Sequence, residues 1–192
     1  MDRLTLCAPC LFGMEGLLRD EIIRLGVADV RAVDGRVTFS GGFGEIVEAN
    51  LRLRTAERVL IEMGCFPAET FDALFEGVKA MPWEEFIPEN GAFPVKGFSL
   101  GSKLTSIPSC QRIIKKAVVE RLRRRYRTDW FREEGARYGI QFAIRGDAAT
   151  VYLDTSGDGL HKRGYRPRSG VAPLRETLAA GMVLLSRYRG GV

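Results

Sequence analysis

The stretch Val30-Arg-Ala-Val-Asp-Gly-Arg-Val-Thr-Phe39 decides the fold of the first third of the chain. Two short valine-rich runs flank Asp34-Gly35, a dipeptide that favours the two-residue turn of a β-hairpin. Helical periodicity lies on both sides of this hairpin, over residues 13–25 and 43–53, and a short strand pattern lies beyond each helix. The order strand-helix-strand-strand-helix-strand is typical of the ferredoxin-like split βαβ arrangement.

A second set of elements follows Phe66-Pro67. Capping, periodicity and turn signals predict a short helix, a strand, a long helix, a β-hairpin, a glycine-rich segment and a last helix. Their expected positions are a cap at Thr70, a strand over 93–98, a cap at Ser109 with the helix ending near Tyr126, a hairpin over 138–153, and a helix from Pro173.

Composition excludes several classes of protein. Hydrophobic residues make up 45% of the 192 residues and charged residues 28%, as in ordinary globular chains. No run approaches the eighteen apolar residues of a membrane span, and the apolar start carries no cleavage signal, so we expect a cytoplasmic protein without membrane contact. Four scattered cysteines and one histidine, His161, predict neither a disulfide framework nor a metal site.

Charge is divided unevenly along the sequence. Residues 1–95 hold 9 basic and 16 acidic side chains, whereas residues 96–192 hold 20 basic and 8 acidic. Such an excess indicates a polyanionic partner. In the long helix, four basic residues fall within an arc of about sixty degrees at 3.6 residues per turn, opposite an apolar stripe. The candidate phosphate contacts in the helix and the loop before it are Ser99, Ser102, Lys103, Ser109, Arg112, Lys115, Lys116, Arg123 and Arg127.

Other chemistry-bearing residues leave alternatives open. The Ser- and Lys-rich loop leads into free helix amides, which suit a phosphate. Tyr126, Trp130 and Phe131 either stack on unpaired bases or belong to the core. The adjacent pairs Glu84-Glu85 and Glu133-Glu134 are expected on the solvated surface, and no catalytic residue is predicted. Four more residues either contact phosphate or pack at a domain junction: His161, Lys162, Arg163 and Arg166.

Several motifs in the second half resemble a known family. Gly91-Ala-Phe-Pro-Val-Lys-Gly-Phe-Ser99, Ser102-Lys-Leu104, Ser109-Cys-Gln111 and Lys115-Lys116 resemble the THUMP domain of bacterial RNA methyltransferases. Leu153-Asp-Thr-Ser-Gly-Asp-Gly-Leu-His-Lys-Arg-Gly-Tyr-Arg166, with Ala172-Pro-Leu-Arg-Glu-Thr-Leu178, is similar to the bridge that joins THUMP to the catalytic domain in class I S-adenosylmethionine-dependent enzymes. These enzymes include the large-subunit rRNA guanine-N2 methyltransferases.

The resemblance implies an α+β chain in three parts. These are a ferredoxin-like domain over 1–65, an α/β THUMP RNA-binding domain over 66–155, and a linker with the first helix of a truncated, Rossmann-like methyltransferase domain over 156–192. In the family, positions matching Arg175, Glu176 and Thr177 lie against the cofactor pocket. The family's Asp-Pro-x-Cys-Gly-Ser-Gly-Thr and Asn-Pro-Pro-Tyr motifs are absent from these residues. We therefore expect no bound cofactor and no methyl transfer by these residues alone.

The leading hypothesis is the RNA-binding N-terminal part of an rRNA guanine-N2 methyltransferase, whose full-length family uses S-adenosylmethionine. Large-subunit rRNA is the favoured partner and tRNA the alternative. Three other readings stay open: a non-enzymatic RNA-binding adaptor, the THUMP part of a tRNA-modifying enzyme, and a small-molecule sensor on a ferredoxin-like fold. The oligomeric state is not predicted.

Overall fold

The computed structural model describes residues 3–164 and 173–186, whose contacts divide into two compact units. The first unit contains the chain up to Ile61 together with the segment from Asp158, and the second contains Glu62–Gly157. The elements in chain order are β1 (Leu4–Pro9), α1 (Glu15–Ile23), β2 (Ala28–Val33), β3 (Arg36–Gly41), α2 (Phe43–Arg52), β4 (Leu60–Pro67), α3 (Phe71–Lys79), β5 (Val95–Leu100), α4 (Ile107–Tyr126), β6 (Ile140–Arg145), β7 (Ala148–Asp154) and α5 (Glu176–Leu185).

The first unit has the predicted βαββαβ order, with strands in the order β2-β3-β1-β4. β1 pairs antiparallel with β3, from Leu4 opposite Gly41 to Pro9 opposite Arg36, and antiparallel with the start of β4. The hairpin turn forms at Asp34-Gly35, where Gly35 has a φ of 71° that suits glycine. The ferredoxin-like prediction for this part of the chain is therefore confirmed.

The second unit orders its strands β4-β7-β6-β5. β5 pairs parallel with β6, and β6 pairs antiparallel with β7 across a turn at Gly146-Asp147, both of which have positive φ. Fully buried side chains of helices α3 and α4 form the core of the second unit. This set includes Leu74, Val78, Ile114, Ala117, Val118 and Leu122, with Trp83 from the short 3-10 turn after α3.

Two predicted helix starts need correction. Thr70 caps α3 as expected, because its Oγ1 accepts a bond from the Ala73 amide at 3.1 Å. Ser109 does not cap α4: the helix begins at Ile107 with Ser106 as N-cap, and Ser109 lies in the first turn. Proline fits the first turn of a helix, so Pro108 belongs to α4 rather than to the loop. The last helix begins at Glu176, three residues after Pro173.

Candidate nucleic-acid interface

The face of α4 that turns away from the core borders a groove beside β5. As predicted, Ile114, Ala117, Val118 and Leu122 are buried, which leaves the basic arc on the opposite side of the helix. The groove has a volume of about 880 Å³. It is lined by Pro94, Val95, Pro108, Gln111, Arg112, Lys115, Lys116 and Val119. The structure therefore brings together three of the predicted phosphate contacts, Arg112, Lys115 and Lys116.

These three cations differ in whether a carboxylate of the domain already pairs with their charge. Arg112 and Lys116 are exposed. Arg112 donates only to the Ser109 hydroxyl, at 3.4 Å, and the Lys116 ammonium lies 5.6 Å from the centre of the Phe75 ring. Within the described residues neither forms an ion pair with a carboxylate, so both charges face the groove and the solvent.

The Lys115 side chain instead binds partners within the second unit. Its Nζ donates to both carboxylate oxygens of Glu133, at 2.6 and 2.7 Å, and to the Phe93 carbonyl at 3.0 Å. It also lies 3.7 Å from the centre of the Phe93 ring. Glu133 further accepts the Phe93 amide at 3.1 Å. Lys115 therefore fixes one wall of the groove, with its charge largely neutralised.

The loop before α4 is held by acidic residues. The Asp147 carboxylate accepts the Lys103 amide at 2.7 Å, and the Asp147 amide donates to the Ser102 hydroxyl at 2.9 Å. The Lys103 ammonium pairs with Glu69, which raises the pKa of Lys103. Ser99 lies in β5, and its buried Oγ has no hydrogen-bond partner among the described residues. Asp147 thus holds the loop that leads into α4 through the Lys103 amide and the Ser102 hydroxyl.

The arginine-rich end of α4 is also partly paired. Arg121 donates to Glu84 from Nε at 2.8 Å, which lowers the pKa of Glu84 and raises that of Arg121. Arg123 pairs with Asp129 and lies 3.6 Å from Glu120. Arg127 is exposed and ends the helix with a φ of 54°. Glu84 and Glu133 are half-buried and each binds a cation of α4, whereas Glu85 and Glu134 are exposed as expected.

The three candidate stacking residues have different environments. Tyr126 donates its hydroxyl to the Ile87 carbonyl at 2.8 Å, and Phe131 packs edge-on against Phe93 and Tyr126. These two rings belong to the packing of the second unit. Trp130 is 80% exposed. Of the three, only Trp130 presents its ring to solvent.

The basic residues after β7 lie in the first unit. The Arg163 guanidinium donates to the carbonyls of Leu51, Asn50 and Leu53, at 2.7, 3.0 and 2.5 Å, where α2 ends. Positive charge is favourable at a helix C-terminus, which carries unpaired carbonyls and the negative end of the dipole. Lys162 is exposed, and Arg166 lies outside the described residues. Arg163 thus serves as a C-terminal cap of α2.

A carboxylate not singled out by the sequence, Glu57, anchors the start of α5. Its Oε1 accepts the Thr177 hydroxyl at 2.6 Å, and its Oε2 lies 3.4 Å from Arg175 and 3.2 Å from His161 Nδ1. Glu176 accepts the Arg163 amide at 3.4 Å. Thr177 is only 1% exposed, and its hydroxyl is bound to Glu57, so this side chain packs within the first unit. The contact spans 120 residues, so no local pattern could have indicated it.

The cysteine side chains are the remaining reactive groups of the described residues. The four cysteines are free, and burial raises the pKa of Cys10 to about 11 and also raises that of Cys110. Raised pKa values disfavour the reactive thiolate. The described residues contain no cluster of three metal ligands and no helix able to cross a membrane.

Comparison with known proteins identifies both parts of the chain. The model of the RlmL ferredoxin-like domain matches residues 5–60, and the THUMP domain model matches residues 68–154. A relative in Bacillus subtilis, described as a putative RNA methyltransferase YpsC, is 46% identical over 190 residues. A ribosomal RNA large subunit methyltransferase K/L of Syntrophotalea carbinolica is 36% identical over 185 residues. The chain spans only 49% and 26% of these two relatives, although they cover 98% and 93% of it.

Solved structures agree on the fold. A Listeria monocytogenes protein, described as a predicted N6-adenine-specific DNA methylase, is 46% identical with a TM-score of 0.92, and the match covers 98% of this chain and 50% of that one. The putative methyltransferase SMU.472, solved as a complex with SAH, is 38% identical with a TM-score of 0.91 and the same coverage. The chain therefore contains a ferredoxin-like domain of the RlmL type over residues 5–60, followed by a THUMP domain over residues 68–154.

Proposed function

We propose that this chain is the RNA-binding part of an S-adenosylmethionine-dependent rRNA guanine-N2 methyltransferase. It holds structured rRNA by its phosphates, and a tethered catalytic domain then acts on that RNA at raised effective concentration. The observation that carries the proposal is the groove beside α4, where the charges of Arg112 and Lys116 are exposed and lack a carboxylate partner among the described residues.

The open shape of the groove and its two unpaired cations favour a nucleic-acid backbone over a small ligand. The groove is open, and two unpaired cations stand four residues apart on one helix face, so both can reach successive phosphates. Lys115 and Arg121, whose charges pair with Glu133 and Glu84, hold α4 in place rather than contacting RNA. Arg127 and Lys162 are exposed and are the next candidates for phosphate contact.

Large-subunit rRNA is the proposed substrate, because a relative that shares 36% identity is a ribosomal RNA large subunit methyltransferase. A tRNA substrate is the second candidate. We further propose the division into a ferredoxin-like domain over 1–65, a THUMP domain over 66–155, and a linker with the first helix of a catalytic domain over 156–192. S-adenosylmethionine would bind in that catalytic domain and supply the methyl group.

The test measures RNA affinity at several salt concentrations. The double variant Arg112→Glu/Lys116→Glu is expected to weaken binding to an rRNA stem-loop and to reduce the slope of log K against log salt by about 2, because each phosphate contact contributes roughly one counterion. The matched control is Arg24→Glu/Arg31→Glu. It makes the same charge change at two exposed arginines of the first unit.

Each outcome has a defined meaning. Loss of affinity in the groove variant alone supports the proposal, and equal loss in both variants would mean that binding responds only to net charge. Tighter binding to tRNA than to rRNA stem-loops would favour the second candidate. A chain that binds no RNA at physiological salt would contradict the proposed function.

A further inference from the structure

A second groove of the THUMP domain lies around the exposed Trp130. Its volume is about 740 Å³, within the size range of sites that bind small organic groups. One wall consists of Pro88, Glu89 and Asn90, and the other of Thr128, Trp130 and Arg132. It shares no lining residue with the α4 groove, and the proposed phosphate contacts do not use it.

The position of Trp130 is fixed by its backbone. The Thr128 hydroxyl donates to the Trp130 carbonyl at 3.1 Å and lies 3.4 Å from the Trp130 amide. Asp129 pairs with Arg123, and Phe131 packs against Phe93 and Tyr126. Both sequence neighbours of Trp130 are thus attached to the domain. The exposed ring is therefore held on an anchored segment.

The opposite wall is tied to the same segment. The Gly135 amide donates to the Asn90 carbonyl at 2.8 Å, and a Cβ at Gly135 would lie 2.7 Å from that oxygen. Only glycine allows this approach without a shift of the backbone. A hydrogen bond and a close backbone contact thus join the two walls through Gly135 and Asn90.

The chemistry of the groove matches an unpaired RNA nucleotide. An exposed aromatic ring stacks on any base, and such stacking needs a base that is out of a duplex. The Asn90 amide and the Glu89 carboxylate can bond the edge of a base, and the exposed Arg132 guanidinium can bond its phosphate. We propose that this groove binds one unpaired nucleotide by stacking it on Trp130. The inference rests on the proposed RNA-binding function.

The test compares two RNA probes of the same stem: a hairpin with a loop of unpaired adenosines, and a blunt duplex. Trp130→Leu is expected to weaken binding of the hairpin about tenfold and to leave the duplex unchanged, because it removes the aromatic ring but keeps an apolar side chain. Trp130→Phe, which keeps a ring, is expected to lose less. The matched control is Phe12→Ala, since Phe12 is 82% exposed and lies in the first unit.

Tryptophan fluorescence gives a second readout on the unmodified chain. The other tryptophan, Trp83, is fully buried, so quenching by the hairpin reports on Trp130 and should disappear in Trp130→Phe. Equal hairpin affinity for Trp130→Leu and wild type, or unchanged fluorescence in the RNA-bound state, would overturn the nucleotide site while leaving the α4 groove intact. A change of molecular mass in Trp130→Leu without RNA would instead identify a contact between copies, and would also overturn it. Failure of the wild type to bind either probe would refute the proposed function itself.

Discussion

At the residue scale, the pairing of β5 with β6 depends on the absence of a side chain at Gly97. Gly97 lies opposite Phe142 in the parallel register, and a Cβ at Gly97 would come within 2.2 Å of the Phe142 carbonyl oxygen. Backbone atoms of a paired strand cannot move aside without breaking the ladder. The resemblance motif that contains Gly97 therefore has a steric basis as well as a similarity to the family.

We predict that Gly97→Ala destabilises the second unit by about 2 kcal/mol or more, as overpacking in a well-ordered core does. Gly16→Ala is the matched control, because Gly16 lies on the exposed side of α1 with no atom within 4 Å of the added Cβ. It should be neutral or stabilising by up to about 1 kcal/mol. Urea unfolding of both variants measures the two free energies, and equal effects would refute the steric argument.

At the element scale, α4 is the helix that links the candidate interface to the rest of its domain. Arg121 and Lys115 bind Glu84 and Glu133, which lie before and after the helix in the sequence. The Arg121 guanidinium holds the pKa of Glu84 below its ordinary value of 4.5. A carboxyl whose pKa is lowered by folding contributes stability above its unfolded pKa and loses it as the pH falls.

Glu84→Gln is therefore expected to lower the free energy of unfolding at pH 7 by about 1 kcal/mol, a modest value because the pair is partly exposed. The difference between the variant and the wild type should shrink as the pH falls below 4.5. Fluorescence of Trp83, which neighbours Glu84, can follow the unfolding. Glu85→Gln is the control, since the exposed Glu85 lies beside Glu84. A difference that stays constant down to pH 3 would contradict the assigned pairing.

The elements themselves were largely predictable, because their signals are local. The Asp34-Gly35 turn, the Thr70 cap and the apolar stripe of α4 each depend on residues a few positions apart. The partners of charged residues were not predictable in this way. Glu84 and Arg121 are 37 positions apart, and Glu57 and Thr177 are 120 apart. Such pairs are determined by tertiary packing, which the spacing of residues does not show.

At the scale of the whole molecule, the domains do not follow the division of charge between the two halves of the sequence. Residues 1–67 carry 8 basic and 10 acidic side chains, residues 68–154 carry 14 and 12, and residues 155–192 carry 7 and 2. The THUMP domain is thus close to neutral, since acidic residues before Asn90 fold into the same domain as α4. The proposed RNA binding is therefore expected to depend on where the unpaired cations lie rather than on net charge, and Arg112 and Lys116 are the two that line the α4 groove.

The segment that follows the THUMP domain packs against the first part of the chain within the first unit. Arg163 caps α2, Glu57 binds Thr177, and the Leu160 amide donates to the Glu57 carbonyl at 2.9 Å. Gly181 of α5 packs so closely on Met14 that a Cβ there would lie 2.5 Å from the Met14 methyl carbon. A chain that ends at Gly157 would lose all these contacts, although it keeps every strand of the ferredoxin-like sheet.

We predict that such a shortened chain shows faster hydrogen exchange at the end of α2 and at residues 54–57, with unchanged exchange in α3, α4 and β5–β7. Lost bonds to carbonyls and to the Glu57 carboxylate cost about 1 kcal/mol each, so the local protection should fall by tenfold or more. In the full chain, Glu57→Ala should speed hydrogen exchange in α5, because the Thr177 hydroxyl loses its acceptor, whereas Glu48→Ala, which removes only the exposed pair with Arg52, should not. Unchanged exchange at α2 in the shortened chain would mean that the ferredoxin-like unit is complete without residues 158–186, and the anchoring role of Arg163 would then be wrong.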